Sequence, residues 1–377
     1  MPSIQEYLAE KRLLAAQRIR EILSESFREA SGIYGDEAWL FELLADYATS
    51  GKMLRAALVF LGYEALTSEN SRAPVGDDGN SVLDTAAAIE LLQAGLLVHD
   101  DIMDKDEIRR GKPTLHIALE ERLRELNRAS LPSIRDYPSK ISPIFDGRIG
   151  ESLAICAGDI YYFIAFKLLA KSLPARSQLF PLEMIKVCLA QMQDVQSGNA
   201  ADFPSIYEAL KMYTYKTARY TIALPLMAGA ALAGADENSL NILENFGEKV
   251  GALFQLQDDS LGLFADSAQL GKPIGSDIRE GKKTPHMVLL LPLLNAKERI
   301  KFFDIFGNSS VEPKDIEYIR GLVVSHGIQN QVDELAMRLI ADSKKALYDA
   351  DFLREPPKSS WHDLFNQLIT YSTTRKY

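Results

Sequence analysis

Apolar residues recur along this chain with the spacing of a helix almost from end to end. Ile4, Leu8, Leu13, Leu14, Ile19 and Ile22 fall on one stripe with polar residues between them, which predicts an amphipathic first helix. The same period predicts helices over roughly 36–48, 52–67, 81–104, 115–127, 149–171, 179–198, 206–234, 237–264, 284–306, 312–326, 328–349 and 360–370. Few segments alternate with period two and none does so for long, so strands are not expected. Breaks rich in glycine and proline are short, at 68–81, 271–281 and 354–359, while 129–147 carries three prolines and reads as a surface excursion. No repeat or linker divides the chain. The pattern predicts an all-α fold, a single large helical bundle forming one domain over residues 1–377.

Length alone would allow two or three domains, so the continuous helical pattern decides for one. With 47% hydrophobic and 25% charged residues the chain can bury a large core. Against 42 Lys and Arg stand 52 Asp and Glu, a net charge of -10, which argues against nucleic acid or an anionic membrane as partner. An anionic ligand would have to be met by local basic clusters or by metal ions. The two cysteines, Cys156 and Cys188, lie far apart in apolar surroundings, which excludes a disulfide framework and fits a reducing compartment. The start is polar and mixed in charge, unlike a secretory signal. The longest apolar run, Tyr220 to Ala235, contains Pro225 and is shorter than the roughly 20 residues a membrane span needs. A cytoplasmic protein without a membrane span is the expectation.

Several chemistries drop out on inspection. None of the Gly-Lys pairs, at 51, 111, 271 and 281, is followed by Ser or Thr, so there is no P-loop. G-x-G-x-x-G, HExxH and G-x-S-x-G are absent, and no histidine has the Glu three residues before it that a di-iron bundle requires. What stands out is Leu91 to Asp104, LLQAGLLVHDDIMD. Asp100 and Asp104 are four residues apart, so their carboxylates stack on one helix face about 6 Å apart and repel. A solvated acidic face would not follow so apolar a run; a hard cation such as magnesium, which prefers carboxylate, phosphate and water oxygens, explains the pair. A second cluster, Asp258 and Asp259, ends another apolar helical stretch. Either pair alone could be a solvated helix end, but two could face each other across a cavity.

Basic residues accompany the acids: Lys52 and Arg55 at a helix start, Arg109 and Arg110 after the first cluster, Lys216 with Thr217, and Lys272, Lys282 and Lys283 after the second. Singly each reads as a surface cation. Jointly they suggest two anion sites, one bridged by metal and one held by Arg and Lys, with diphosphate the natural candidate.

These residues resemble those of the all-trans isoprenyl (polyprenyl) diphosphate synthases, which include the farnesyl and geranylgeranyl diphosphate synthases. Asp100, Asp101 and Asp104 with Arg109 and Arg110 match the family's first aspartate-rich motif. Asp258 and Asp259, with Gly271, Lys272, Gly275 and Asp277 downstream, match the second. Gly51, Lys52 and Arg55 match its G-K-x-x-R segment, and Lys216 and Thr217 its K-T pair. The resemblance implies a helical bundle around a central cavity, a homodimer, and magnesium held at the aspartates, three ions per active site. It implies that Lys52, Arg55, Gln93 and Arg110 hold isopentenyl diphosphate, and that Arg109, Lys216 and Lys272 contact the allylic diphosphate. Asp202, read in a G-Q-x-x-D pattern over Gly198–Asp202, and Gln255 would be further polar positions, with Gln255, Lys216 and Thr217 near the chemistry. Departures are Ser50, Met53 and Ala56 around the G-K segment, Asn199 for Gln, and Gly262 for the third aspartate of the second motif.

In such an enzyme the allylic carbon–oxygen bond ionises as cations neutralise the leaving diphosphate. The double bond of isopentenyl diphosphate traps the carbocation, and a proton is lost. Product length would be set by the apolar wall upstream of Asp100. In the family a bulky aromatic five residues before the motif shortens the product; here Gly95 stands there beside Leu96, which predicts an open floor and a product of twenty carbons or more. Gly95 could instead serve close helix packing. The alternatives are a farnesyl diphosphate synthase, a non-catalytic subunit of a heteromeric synthase, and a terpene cyclase, against which Lys52, Arg55 and Arg110 argue.

Overall fold

The computed structural model describes residues 2–67, 81–130, 148–198, 202–264, 275–308, 310–353 and 359–374. The fold is all-α. Helices run in the order α1 (Ile4–Glu29), α2 (Glu37–Thr49), α3 (Leu54–Leu66), α4 (Ser81–Met103), α5 (Leu115–Ser130), α6 (Ile149–Ser172), α7 (Leu179–Gly198), α8 (Ile206–Tyr213) and α9 (Leu224–Leu232). They continue with α10 (Glu237–Phe264), α11 (Ser276–Arg279), α12 (Pro285–Leu290), α13 (Ala296–Ile305), α14 (Pro313–Ser325), α15 (Ile328–Tyr348) and α16 (Ser359–Thr374).

α4 is the central post. From Asp84 to Gly95 it is buried on all sides, and it packs along α6 with α1, α3 and α9 around it. One apolar cluster surrounds α4 and α6; a second joins α3, α9, α10 and α16; a third fills the space among α10, α12, α14 and α15. Phe60 and Ala231 touch the first two clusters, and Ala336 and Leu339 the second and third.

The structure departs from the periodic pattern in three places that matter. The helix expected from residue 52 starts at Leu54, because Met53 takes a left-handed backbone (φ 50) and acts as its N-cap. The helix expected over 206–234 is interrupted by a wide π-helical turn, Thr214–Ala223, which closes with Leu224 N–H donating to the Arg219 carbonyl five residues back. Pro225, just after it, has no N–H to return to Thr221, which removes the bond that would hold an ordinary α-turn there. An antiparallel pair, β1 (Ile108–Arg109) with β2 (Lys112–Pro113), follows α4 where no strand was expected. Its two tip residues, Arg110 (φ 54) and Gly111 (φ 74), are both left-handed, the geometry of a two-residue hairpin turn. The stretch 131–147, most of the expected excursion, lies outside the described residues.

Among the described residues two helices, α4 and α6, are long and apolar enough to cross a membrane by length and composition, although neither contains the longest unbroken apolar run. The apolar 18-residue window of α4 is 78% buried inside the bundle, as in a core helix, but that of α6 only 39%.

Candidate active site

α4 and α10 each deliver an aspartate pair near a C-terminal end, where the helix dipole adds negative potential to that of the carboxylates. Neighbouring side chains on a helix point about 100° apart, so the two members of each pair face different surroundings. At the end of α4, Asp101 turns inward and is fully buried. Its Oδ2 accepts from the Tyr47 hydroxyl at 2.8 Å, and its Oδ1 takes an ion pair from Arg109. At α10, Asp259 also turns inward, with Oδ1 accepting from Gln255 Nε2 at 2.8 Å and Oδ2 from the Tyr213 hydroxyl. Asp101 and Asp259, expected among the metal ligands, thus have both oxygens engaged by protein donors, and the geometry makes them braces. Gln255 serves the same brace.

Asp100 and Asp104 face outward into the site. Burial first, then the Asp104 charge, push the Asp100 carboxyl above its ordinary range, while Lys216, Lys282 and Arg109 oppose the shift. Lys282 Nζ lies 3.1 Å from Asp104, 2.6 Å from Glu280 and 4.0 Å from Asp277. It links the first acidic cluster to the loop that follows the second. Asp277 sits in turn beside α10: a Cβ on Gly262 would come 3.1 Å from Asp277 Oδ2, so this carboxylate occupies the neighbourhood a third motif aspartate would have filled. Burial, then the Asp277 charge, push Asp259 up to about 7.

The wide turn carries Lys216 and Thr217 to the same rim. Lys216 pairs with Asp194 of α7, and although burial disfavours its charge, Asp194 and Asp100 raise its pKa overall. Thr217 is half-buried beside it. Gly247 and Gly251 of α10 allow the turn to approach: added Cβ atoms would lie 2.4 Å from the Cα atoms of Ala223 and Ala218.

A second cationic group lies beside α4, around Glu90 and Gln93. Arg110, at the hairpin tip, donates to Ser50 Oγ at 3.0 Å, and a Cβ on Gly51 would come 2.9 Å from its Nη1. Arg55 lies over the Tyr220 ring, 4.7 Å from its centroid, and donates to Thr221 Oγ1 at 2.6 Å. Glu90, buried on α4, accepts from Ala56 N–H at 3.0 Å; burial raises its pKa, against the opposing charges of Arg55 and Arg110. Gln93 Oε1 is buried and without a hydrogen-bond partner among the described residues, as is Arg55 Nε. Lys52 is exposed just outside α3. The left-handed non-glycine residues, Met53, Lys105 and Arg110, all flank this region, so backbone strain of order 1 kcal/mol each is concentrated at the site.

Among the described residues no group of three Asp, Glu, His or Cys side chains is arranged to hold a metal ion by itself. The outward carboxylates are spread around the rim, with Lys282 as a tethered cation between them. That donor set fits a hard ion that takes one or two carboxylates and completes its shell with phosphate and water.

The model for polyprenyl synthetase matches residues 37–323. The chain belongs to the polyprenyl synthetase family. A geranylgeranyl diphosphate synthase of Sulfolobus acidocaldarius is 33% identical over 76% of this chain and 77% of its own length. A short chain isoprenyl diphosphate synthase of Methanocaldococcus jannaschii is likewise 33% identical, over 64% of this chain and 65% of that protein. The solved geranylgeranyl pyrophosphate synthase of Corynebacterium glutamicum, complexed with isoprenyl diphosphate and magnesium, superposes with a TM-score of 0.84 at 28% identity, covering 98% of this chain and 99% of that one.

Not every position the family resemblance suggested enters the site. Lys272 lies outside the described residues. Asp202 is exposed, and its described bond is the one its backbone carbonyl accepts from Lys283 at 2.7 Å. The polar contacts expected there come from α7: Gln191 Nε2 donates to Asp100 Oδ1 at 3.1 Å, and Asp194 holds Lys216. Ala190-Gln191-Met192-Gln193-Asp194 matches the G-Q-x-x-D pattern with Ala in place of Gly and keeps both polar residues, whereas Gly198–Asp202 keeps the glycine and has Asn199 in place of Gln. Gly95 packs closely: a Cβ there would lie 2.9 Å from the Gly158 carbonyl and 2.6 Å from Tyr162 Cε1. The space beside it is taken, not open.

Proposed function

We propose that the protein is a trans-prenyltransferase. It would condense isopentenyl diphosphate head-to-tail with an allylic diphosphate to a geranylgeranyl or longer prenyl diphosphate, releasing diphosphate. The observation that carries this is the presence of two anion sites beside the C-terminal half of α4. One is a rim of outward carboxylates with Lys216, Lys282 and Arg109; the other is a cationic nook of Arg55 and Arg110 with the unpartnered Gln93 oxygen.

In this reading Asp100, Asp104 and Asp258 hold magnesium, three ions when the site is full, which when bound neutralises charge on the departing diphosphate. Lys216, Lys282 and Arg109 supply fixed positive charge to the same group, already oriented by Asp194, Glu280 and Asp101. Arg55, Arg110, Lys52 and Gln93 hold the second diphosphate so that its double bond lies against the allylic carbon. Within the Tyr213–Asp259–Gln255 brace no side chain acts as nucleophile, and the departing diphosphate takes the final proton.

We also take the chain as one catalytic unit that pairs with a second copy in the cytoplasm. The shared core residues Phe60, Ala231, Ala336 and Leu339 support a single domain. α7 exposes an apolar stripe of Leu182, Ile185, Leu189 and Met192 with Cys188, and α6 exposes Ile155, Cys156 and Phe163. A partner copy covering these residues would account for the apolar character of α6 without a membrane. The test is incubation with magnesium, labelled isopentenyl diphosphate and each allylic primer in turn. Elongated diphosphates support the reading; cyclic hydrocarbons or no incorporation overturn it.

A further inference from the structure

The wide turn Thr214–Ala223 carries two long cations that diverge along α7. Lys216 pairs with Asp194 at the acidic rim, whereas Arg219 pairs with Glu183, eleven residues earlier and about 16 Å along the axis. Arg219 Nε donates to Glu183 Oε2 at 2.7 Å and its Nη2 to Oε1 at 2.9 Å, a bidentate pair. Its Nη1 also meets Glu248 and its Nη2 meets Glu244, one turn apart on α10. Lys186 joins the group by donating to Glu183 Oε1 at 2.7 Å. The arginine side chain is only 13% exposed, so this is not the solvent-screened surface pair that contributes little. Beside it Ala218 and Ala223 lie flush against Gly251 and Gly247 of α10. The cluster is remote from the chemistry: Glu248 stands ten residues before Asp258, about 15 Å along α10.

The turn needs such an anchor. A π turn holds one residue more than an α turn and rarely persists without outside support. Its far end is fixed, because Tyr220 and Thr221 hold Arg55, the ring at 4.7 Å and the hydroxyl at 2.6 Å. Closure in α register would therefore be borne by the near end, rotating Lys216 and Thr217 by about 100° about the axis. Lys216 would then leave the rim. Without Arg219, Glu183, Glu244 and Glu248 would face one another with Lys186 left to neutralise them among the described residues, which favours release of the turn from α7 and α10.

We propose that Arg219 is a positioning residue: by clamping the wide turn to α7 and α10 from behind, it holds Lys216 at the acidic rim where a diphosphate binds. The inference rests on the prenyltransferase reading and deepens it. Arg219 touches neither anion position and acts through Lys216.

The experiment is a double-substitution cycle on the full chain, read by calorimetry as the affinity for inorganic diphosphate with magnesium. Arg219→Gln is expected to weaken binding about tenfold in the native background but less than about twofold in the Lys216→Ala background. Lys282, Arg109 and the aspartates remain in that background, so binding stays measurable. Arg219→Lys keeps the charge but cannot serve three carboxylates at once, and is expected to recover part of the loss. Should Arg219→Gln fail to fold, as judged by circular dichroism, Arg219→Lys takes its place in the cycle. Equal fold-losses in the two backgrounds overturn the proposal, as does wild-type affinity in a folded Arg219→Gln variant. Incorporation of labelled isopentenyl diphosphate by the wild-type chain is measured separately. Diphosphate binding without incorporation would fail the prenyltransferase reading and leave the cycle to decide on Arg219.

Discussion

The two acidic helix ends carry the same Asp-Asp pair and resolve it differently. At α4 the inward aspartate, Asp101, meets a guanidinium as well as a tyrosine; at α10 the inward Asp259 meets a tyrosine and an amide, with the Asp277 carboxylate close by. The first brace is an ion pair whose charges balance. The second is a buried acid short of a counter-charge, and its carboxyl is correspondingly pushed up to about 7. A repeated motif therefore does not imply a repeated role: the first cluster is a rigid platform, and the second is poised to gain when positive charge arrives.

The largest expected effects separate inward from outward aspartates. Asp101→Asn leaves the buried Arg109 guanidinium only the more distant Asp106 at 3.5 Å and Asp100 at 4.0 Å, and is expected to cost about 3 kcal/mol of stability in urea unfolding. Asp100→Asn relieves a like-charge contact and is expected to leave stability unchanged or slightly higher, while lowering kcat about 10²- to 10³-fold. If the two substitutions lowered stability alike, the division into brace and ligand would be wrong. Asp259→Asn is expected to cost far less than Asp101→Asn in metal-free protein. The folded pKa of Asp259 is raised, so its contribution is fully present below the unfolded value of about 4 and is lost as pH rises through about 7. The stability gap between wild type and Asp259→Asn should accordingly turn in favour of the variant on going from pH 5 to pH 8.

A second group on the α10 side responds in the opposite direction. His286, buried at the start of α12 3.4 Å from Ser260, has its pKa lowered to about 4 by burial. A depressed base is neutral in the fold and takes up a proton on unfolding, so the stability due to it is present above about 6.5 and is lost as pH falls toward 4. The full loss is up to about 3 kcal/mol. His286→Gln should flatten urea-unfolding midpoints between pH 7 and pH 5; an unaltered slope would show that His286 is not what makes this half acid-sensitive.

Much of this was legible in the chain. Helical periodicity marked the elements because each buries a continuous apolar stripe, and the aspartate pairs were conspicuous at the ends of apolar runs. The orientation within each pair was not legible, since it depends on Tyr47 and Tyr213, which arrive from distant segments. Nor was the wide turn at Lys216, because a π-helical turn has no hydrophobic period of its own and only Pro225 hinted at it. Gly95 shows the same limit. Its sequence neighbours suggest an open floor, while the ring that fills the space belongs to Tyr162, sixty-seven positions away.

The smallest expected effect concerns the α7 rim, where Gln191 steadies the outward carboxylate of the first cluster. Its amide donates to Asp100 at 3.1 Å, a hydrogen bond to a charged group worth about 1.5 kcal/mol, or roughly tenfold in rate if fully expressed in the transition state. The side chain is half-buried and packs no core, so Gln191→Ala should leave the urea midpoint within about 0.5 kcal/mol of wild type. Its loss should appear as a lower kcat/KM for the allylic primer with little change in KM for isopentenyl diphosphate, whose cationic nook gathers around Arg55, Arg110 and Gln93. Asp194→Asn probes the other half of the same helix face by loosening Lys216, and should act on the same kinetic parameter. Equal losses for both substrates in either variant would place α7 behind the whole site, and would erase the separation of the two anion positions on which the comparison rests.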